Sequence, residues 1–174
     1  MDNNDILIRL RFALDIKNTD MVEIFKLGGV EVTKEEVLKI LTKTEDEEAD
    51  FSGKIIENEE QIRCNNRMFE SFLNGLITFK RGTKEVKPGQ KVQPDYSIHN
   101  HASINNVLLK KVKIALSLTG EDMLDIFHDA GVNMTKGELG DMLRKEGHRN
   151  YKPCGNGYAR NFLKGLAIQY RDDV

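Results

Sequence analysis

Apolar residues recur at helical spacing along most of the chain, and the pattern appears twice. Ile6, Leu7, Leu10, Ala13 and Leu14 form one stripe behind Asn3 and Asn4, the candidate N-caps. Leu109, Val112, Ala115 and Leu116 repeat it behind Asn105 and Asn106. A short second helix follows, with Met21, Ile24 and Phe25 in one copy and Met123, Ile126 and Phe127 in the other. Its first turn holds carboxylates, Asp20 with Glu23 and Asp122 with Asp125, where the helix dipole favours them. Thr119 and Asp122 are alternative caps for the second copy. Each helix then stops at Gly29-Val30 or Gly131-Val132, a glycine suited to the left-handed conformation followed by a residue that closes an apolar contact. Thr33-x-x-Glu36 and Thr135-x-x-Glu138 read as capping boxes that open a third helix carrying Val37, Ile40 and Leu41, or Leu139, Met142 and Leu143.

A fourth helix contains Phe-Leu-x-Gly-Leu at residues 72–76 and 162–166. Glycine within a helix costs about 1 kcal/mol relative to alanine. Its presence in both copies predicts that Gly75 and Gly165 lie where a second helix crosses too closely for a side chain, with the crossing between the two repeats as the favoured location.

The duplication is explicit on alignment. Residues 3–43 match residues 105–145 without a gap, and 16 of those 41 positions are identical. Cys64 to Arg81 matches Cys154 to Arg171 at a shorter offset, so the first copy carries extra residues between its blocks. The expected architecture is all-α, with two pseudo-symmetric four-helix repeats joined by an extended linker. The first repeat spans residues 1–82 and includes an acid-rich insertion at about 45–62. The linker spans 83–103 and the second repeat 104–174. Phe51, Ile55 and Ile56 would let the insertion dock. Pro88, Gly89 and Pro94 give the linker an extended and partly mobile character, long enough for the copies to pack side by side with approximate two-fold symmetry.

A chain of 174 residues is long enough to bury about 70% of its unfolded surface. Its net charge of −2 is unlike the basic footprint of a generic nucleic-acid binder. No apolar run approaches the length needed to span a bilayer, and the start Met1-Asp2-Asn3-Asn4-Asp5 is unlike a basic signal-peptide start. Two cysteines 90 residues apart make neither a disulfide framework nor a Cys-x-x-Cys site. A soluble cytoplasmic protein is the expectation.

Candidate chemistry is sparse. Glu45-Asp46-Glu47-Glu48 reads as a solvated acidic run. His99-x-His101 lacks a nearby third ligand, so no metal is expected. His128 and His148 have no partners evident in sequence. Cys64 and Cys154 precede the fourth helix in both copies beside basic residues (Arg63 and Arg67, or Lys152 and Arg160); small buried slots at a helix start are favoured over reactive thiols. Pro153-Cys154-Gly155-Asn156-Gly157 precedes a helix, yet it has no Gly-Lys-Ser/Thr ending and no preceding strand, which leaves a loop and cap rather than a phosphate cradle. No cofactor is implied.

The segment Met21 to Leu41 has the ingredients of a helix-turn-helix, but Glu35 and Glu36 near the start of its second helix disfavour phosphate contact. The second copy has more basic surroundings: Lys110, Lys111, Lys113, Arg144, Lys145, Arg149, Lys152 and Arg160.

Asn4-Asp5-Ile6-Leu7, Asp20-Met21-Val22, Leu27-Gly28-Gly29-Val30 and Ser71-Phe72-Leu73-Asn74-Gly75-Leu76-Ile77, followed by Lys80-Arg81-Gly82, resemble the bacterial YehS-like family, catalogued as domain of unknown function 1456. So do Asn105 to Lys111 and Phe162-Leu163-x-Gly165-Leu166-Ala167. The resemblance covers most of the chain, apart from residues 51–62. It implies a bacterial origin and a tandem repeat, and it carries over no activity, cofactor or catalytic residue. The leading expectation is therefore a non-enzymatic interaction or regulatory module that binds a protein or peptide through a groove between the repeats. The alternative is a nucleic-acid-binding regulator that uses the basic surface of the second repeat; an enzyme ranks third.

Overall fold

The computed structural model describes residues 1–42, 61–82 and 94–171. Among them every regular element is helical. The first repeat contains α1 (Asn3–Leu14), α2 (Asn18–Leu27), α3 (Lys34–Ile40) and α4 (Asn66–Arg81). A 3-10 turn, His101–Ser103, leads into the second repeat: α5 (Ile104–Ala115), α6 (Gly120–Asp129), α7 (Lys136–Leu143) and α8 (Asn156–Tyr170). The acidic insertion lies outside the described residues except for Gln61 and Ile62, as do residues 83–93 of the linker.

The stops behave as their chemistry requires. Gly29 and Gly131 adopt φ of 90° and 87°. Val30 N–H then donates to Phe25 C=O at 2.8 Å and Val132 N–H to Phe127 C=O at 2.9 Å, which satisfies carbonyls that the helix end leaves open. Thr33 and Glu36 form a complete capping box. Thr135 accepts the Glu138 N–H, but the expected second box is only half formed, because the Glu138 carboxylate lies toward Lys152 (3.9 Å) and does not return the bond. Thr119, rather than Asp122, caps α6, and Asp122 completes its box. The cap of α1 differs from the expectation: Asp2 caps it, with Asp5 returning the bond, and this leaves Asn3 and Asn4 buried.

Each repeat packs its fourth helix across its second. Phe25 meets Phe72 with ring centroids 5.0 Å apart, and the equivalent Phe127 and Phe162 lie 5.5 Å apart. At these crossings a Cβ on Gly75 would sit 1.9 Å from Ile24 C=O, and one on Gly165 would sit 2.0 Å from Ile126 C=O. The predicted close approach is therefore present, but within each repeat and not between repeats. The first crossing is bare on both sides: a Cβ on Gly28 would meet Ser71 C=O at 1.9 Å, whereas the second copy has Ala130 there.

The copies do not simply lie side by side. They exchange helical partners, α1 packing mainly on α8 and α4 on α5. Two polar clamps mark the pseudo-two-fold relation. Arg81 at the end of α4 donates to Ile114 C=O (3.2 Å), and its counterpart Arg171 after α8 donates to Phe12 C=O (2.8 Å). The core is continuous across the exchange, from Leu7 and Leu10 through Phe72 and Leu73 to Leu108, Leu109 and Phe162.

Alanine at Gly75 or Gly165 drives a methyl into backbone, so each variant is expected to lose about 1–3 kcal/mol or more. Alanine at Gly140, inside α7 and facing open space, should add about 0.5–1 kcal/mol. Urea unfolding of the three variants checks this; a Gly165→Ala variant as stable as the parent would contradict the crossing geometry.

Candidate functional site

Buried asparagines organise the loops in front of α4 and α8. Asn4 Nδ2 donates to Ile40 C=O (2.8 Å) and Ile62 C=O (2.9 Å), and its Oδ1 accepts Cys64 N–H (2.9 Å). Asn106 repeats the set with Met142 C=O, Lys152 C=O and Cys154 N–H, all at 2.9 Å. Asn3 Nδ2 bridges Cys64 C=O and Asn66 Oδ1, as Asn105 bridges Cys154 C=O and Asn156 Oδ1. Losing one such side chain would leave several buried backbone groups unpaired, each costing about 1–3 kcal/mol. Asn3, Asn66, Asn105 and Asn156 line a polar cleft of about 740 Å³ between the repeats, with Arg63, Arg67 and His101 also on its wall. Both buried asparagines and Cys154 N–H are already engaged in the scaffold. Residues 153–157 are thus a braced loop entering α8 with Gly155 at the cap position.

Cys64 and Cys154 are buried, 2% and 3% exposed. Burial pushes the Cys64 thiol up to about 12, and the Asp2 charge adds to the effect. Burial likewise raises Cys154 to about 12, against the opposing pull of Lys152. They are slot-filling thiols, as expected from their positions.

The linker supplies the most informative contact surface. Residues 94–99 have no regular secondary structure, and residues 95–98 are pinned against α4 and α5. Glu70, 1% exposed, accepts Ser97 N–H (2.8 Å), Ser97 Oγ–H (3.0 Å) and Ile98 N–H (2.8 Å). Lys111 Nζ sits 2.9 Å from the Glu70 carboxylate and donates to Asp95 C=O (2.7 Å) and to Asn74 Oδ1. Asn74 Nδ2 donates to the same Asp95 carbonyl at 3.0 Å. Tyr96 hydroxyl meets Ser71 Oγ at 2.9 Å, and the Arg67 guanidinium lies 3.5 Å from the centre of its ring. Burial alone would raise the Glu70 carboxyl. The Ser97 N–H, the Lys111 ammonium and the Ile98 N–H outweigh it and hold the group below its ordinary value.

The pseudo-two-fold relation maps this groove onto a second one between α1 and α8, of about 460 Å³. Adding 90 to α4 numbers and subtracting 102 from α5 numbers places Arg160, Asn161 and Lys164 at the positions of Glu70, Ser71 and Asn74, and Arg9 at that of Lys111. Ile8, Phe12, Leu163, Ala167 and Ile168 line it. Phe12 is 49% exposed, under the Arg171 guanidinium at 4.1 Å. No described segment lies across this second groove in the way that residues 94–98 lie across the first.

The basic residues singled out in the second repeat differ in their surroundings. Lys111 is 5% exposed and serves the linker, so it is not part of any nucleic-acid face. Lys110 is half-buried and lines a small cavity with Lys145 and Glu146. Arg144 pairs with Asp141 at 3.0 Å, and Lys152 lies 3.9 Å from Glu138. Lys145 and Arg149 are exposed. Arg160 belongs to the α8 face that carries Lys164. Among the histidines, His128 Nδ1 lies 3.3 Å from Asn133 Oδ1, and His148 Nδ1 accepts Asn150 N–H at 3.1 Å. Among the described residues no three His, Cys, Asp or Glu side chains group as metal ligands, and no helix is long and apolar enough to cross a membrane.

Sequence reasoning missed Glu70, Asn74, Tyr96, Arg9 and Lys164. The signal was present in the repeat alignment, where Glu70 faces Arg160 and reverses its charge while Lys111 faces Arg9 and keeps its own.

Two outcomes are expected from these geometries. Both thiols should resist a disulfide reagent in the native protein, with a thiolate population on the order of a thousandfold below that of free cysteine, and react promptly after unfolding. Glu70→Gln should cost about 3 kcal/mol at neutral pH by leaving the buried Lys111 with only the exposed Asp95 carboxylate, 3.8 Å away, to face its charge. Because the folded-state Glu70 carboxyl is held low, its contribution is present above the unfolded value of about 4.3 and lost as pH falls through the folded value. The gap between wild type and variant in urea unfolding should therefore narrow on acidification; a constant gap would contradict the assigned role.

The model of a protein family of unknown function, DUF1456, matches residues 3–82 and again 105–172. The chain is also 39% identical over 169 residues to the uncharacterized protein YehS of Escherichia coli (strain K12), covering 97% of this chain and 96% of that protein. No solved structure matches. With both repeats matched and a relative aligned end to end, the chain belongs to the DUF1456 family of proteins of unknown function.

Proposed function

We propose that this protein is a non-enzymatic interaction module that holds an extended segment of a protein or peptide in the α1/α8 groove between its repeats. The observation that carries the reading is internal. The same fold already holds a non-helical segment, residues 95–98, in the pseudo-equivalent α4/α5 groove through backbone hydrogen bonds and an aromatic side chain. Extended backbone presents unpaired N–H and C=O groups at regular intervals, and helix side chains reach them without any need for a sheet edge. In the second groove the exposed Phe12 and the partly exposed Ile8 and Ile168 offer area to bury, at about 25 cal/mol per Å².

Chemistry has less support. The two equivalent thiols are buried and held protonated, and the buried Asn3, Asn4 and Asn105 on the wall of the central cleft donate to backbone carbonyls. Nucleic-acid binding by the second repeat loses Lys111 to the linker, while Arg144 and Lys152 have carboxylate neighbours.

A photo-crosslinking amino acid in place of Phe12 tests the reading in the native host cell, with the same group in place of exposed Leu38 on α3 as the control. A discrete protein adduct from position 12 and none from position 38 is expected. Equal labelling from both positions, or none from position 12, would count against the groove.

A further inference from the structure

We infer that the segment taken up by the α1/α8 groove is acidic: an extended stretch of a partner protein whose Asp or Glu side chains flank an aromatic or branched apolar residue. This deepens the interaction-module reading and rests on it. The argument is the charge exchange between two grooves of one fold.

In the α4/α5 groove the two charged positions neutralise each other, Glu70 against Lys111 at 2.9 Å. The segment lying there is thus gripped mainly through its backbone and Tyr96, and Glu70 supplies the acceptor for two consecutive N–H groups. In the α1/α8 groove the same two positions are Arg160 and Arg9, and the position of the neutral Asn74 is Lys164. No carboxylate stands where Glu70 stood. Arg160 and Lys164 are one turn apart on α8, and Lys164 and Arg9 both line the groove. The carboxylate acceptor is missing, with Arg160 in its place, Lys164 in place of Asn74 and Arg9 in place of Lys111, so the groove cannot hold a segment as the first one does. It can hold one that brings its own acceptors, because guanidinium groups bind carboxylates in a two-point geometry. Asp15, beside the groove's Phe12 end, does not supply them, since Arg171 engages it at 3.4 Å.

The apolar lining sets the second half of the requirement. The exposed Phe12 and the partly exposed Ile8 and Ile168 line the groove together with Arg9 and Lys164, so an apolar side chain of the ligand sits among its acidic ones. An acidic segment without an apolar residue would gain only exposed ion pairs, which are individually weak. A basic or neutral segment would face three like or unpaired charges.

Selection of a displayed random-peptide library on the immobilised full chain tests this directly, with the enriched peptides synthesised and titrated by fluorescence anisotropy. The expected result is enrichment of Asp and Glu around an aromatic or branched residue. Binding should weaken at least ~10-fold in Arg160→Glu/Lys164→Glu and by a similar factor when salt rises from ~0.05 to ~0.5 M, because the screening length then shrinks to a few Å. The Lys145→Glu/Arg149→Glu variant should bind as the parent does. Arg160 and Lys164 are exposed, and a thermal melt matching the parent shows that the charge reversal leaves the fold intact. Enrichment of peptides without acidic residues, whose binding is nevertheless lost in Phe12→Ala, would overturn the acidic assignment and leave the groove standing. Failure to enrich any peptide, or binding indifferent to both the charge reversal and Phe12→Ala, would overturn both. Self-association abolished by the charge reversal, with no peptide enriched, would assign the groove to a second copy and likewise overturn the inference.

Discussion

Neither four-helix repeat encloses its own core, and the architecture follows from that constraint. Within a repeat, α2 and α4 are locked by a crossing with no room for a Cβ at Gly75. The first and fourth helices barely meet each other; α1 instead packs on α8, and α4 on α5. Each copy thus completes its apolar surface with the other, which a small repeat needs because short chains bury too little surface alone. The exchange also creates the two inter-repeat grooves. A duplicated chain that kept its copies separate would have neither.

Once the grooves exist, symmetry makes them equivalent and substitution makes them different. The α4/α5 groove holds a buried acid-base pair and the linker. The pair alone would be a doubtful gain, since the cost of taking both charges out of water offsets much of their attraction. Here the surrounding hydrogen bonds change the balance. Glu70 accepts two backbone N–H groups and a hydroxyl, and Lys111 donates to an amide and a carbonyl. The pair therefore orders the chain between the repeats, tying residues 95–98 to α4 and α5 together. At the equivalent positions of the other groove, Arg9 and Arg160 could not stand buried face to face, and both are exposed.

The local grammar of the fold was legible from the residues. Helical periodicity, the Gly-Val stops and the Thr-x-x-Glu caps placed the elements because each depends only on near neighbours in sequence. What depended on contact across the chain was harder to read. Gly75 and Gly165 announced a crossing but not its partner, since a missing Cβ says nothing about which helix approaches. Asn4 and Asn106 looked like caps because asparagine favours that role; their burial depends on Ile40, Ile62 and Met142, which periodicity marks only as helix or loop. Lys111 looked like surface for the same reason. Its partner Glu70 is 41 residues away, and nothing local distinguishes a buried lysine from a solvated one. The candidate groove was legible only as a pair of mismatches in the repeat alignment, and their meaning required knowing that positions 70 and 111 touch.

That distinction bears on where function resides in a duplicated scaffold. Positions shared by the two copies, such as Asn4 with Asn106, Cys64 with Cys154 and Phe72 with Phe162, are consumed by folding: their polar atoms are paired or their side chains are buried. A residue so constrained is poorly placed to act on a ligand, because any movement toward one abandons a buried partner. Of the positions that diverged at the inter-repeat grooves, Glu70 and Lys111 are consumed in the same way, whereas the charged ones of the α1/α8 groove are exposed. On α1 and α8, Arg9, Arg160 and Lys164 are exposed beside an apolar floor that the fold requires for other reasons. The combination costs the scaffold little and supplies what a binding surface needs, fixed apolar area with charges around it. Duplication provided two equivalent grooves; the linker lies in one, and no described segment lies across the other.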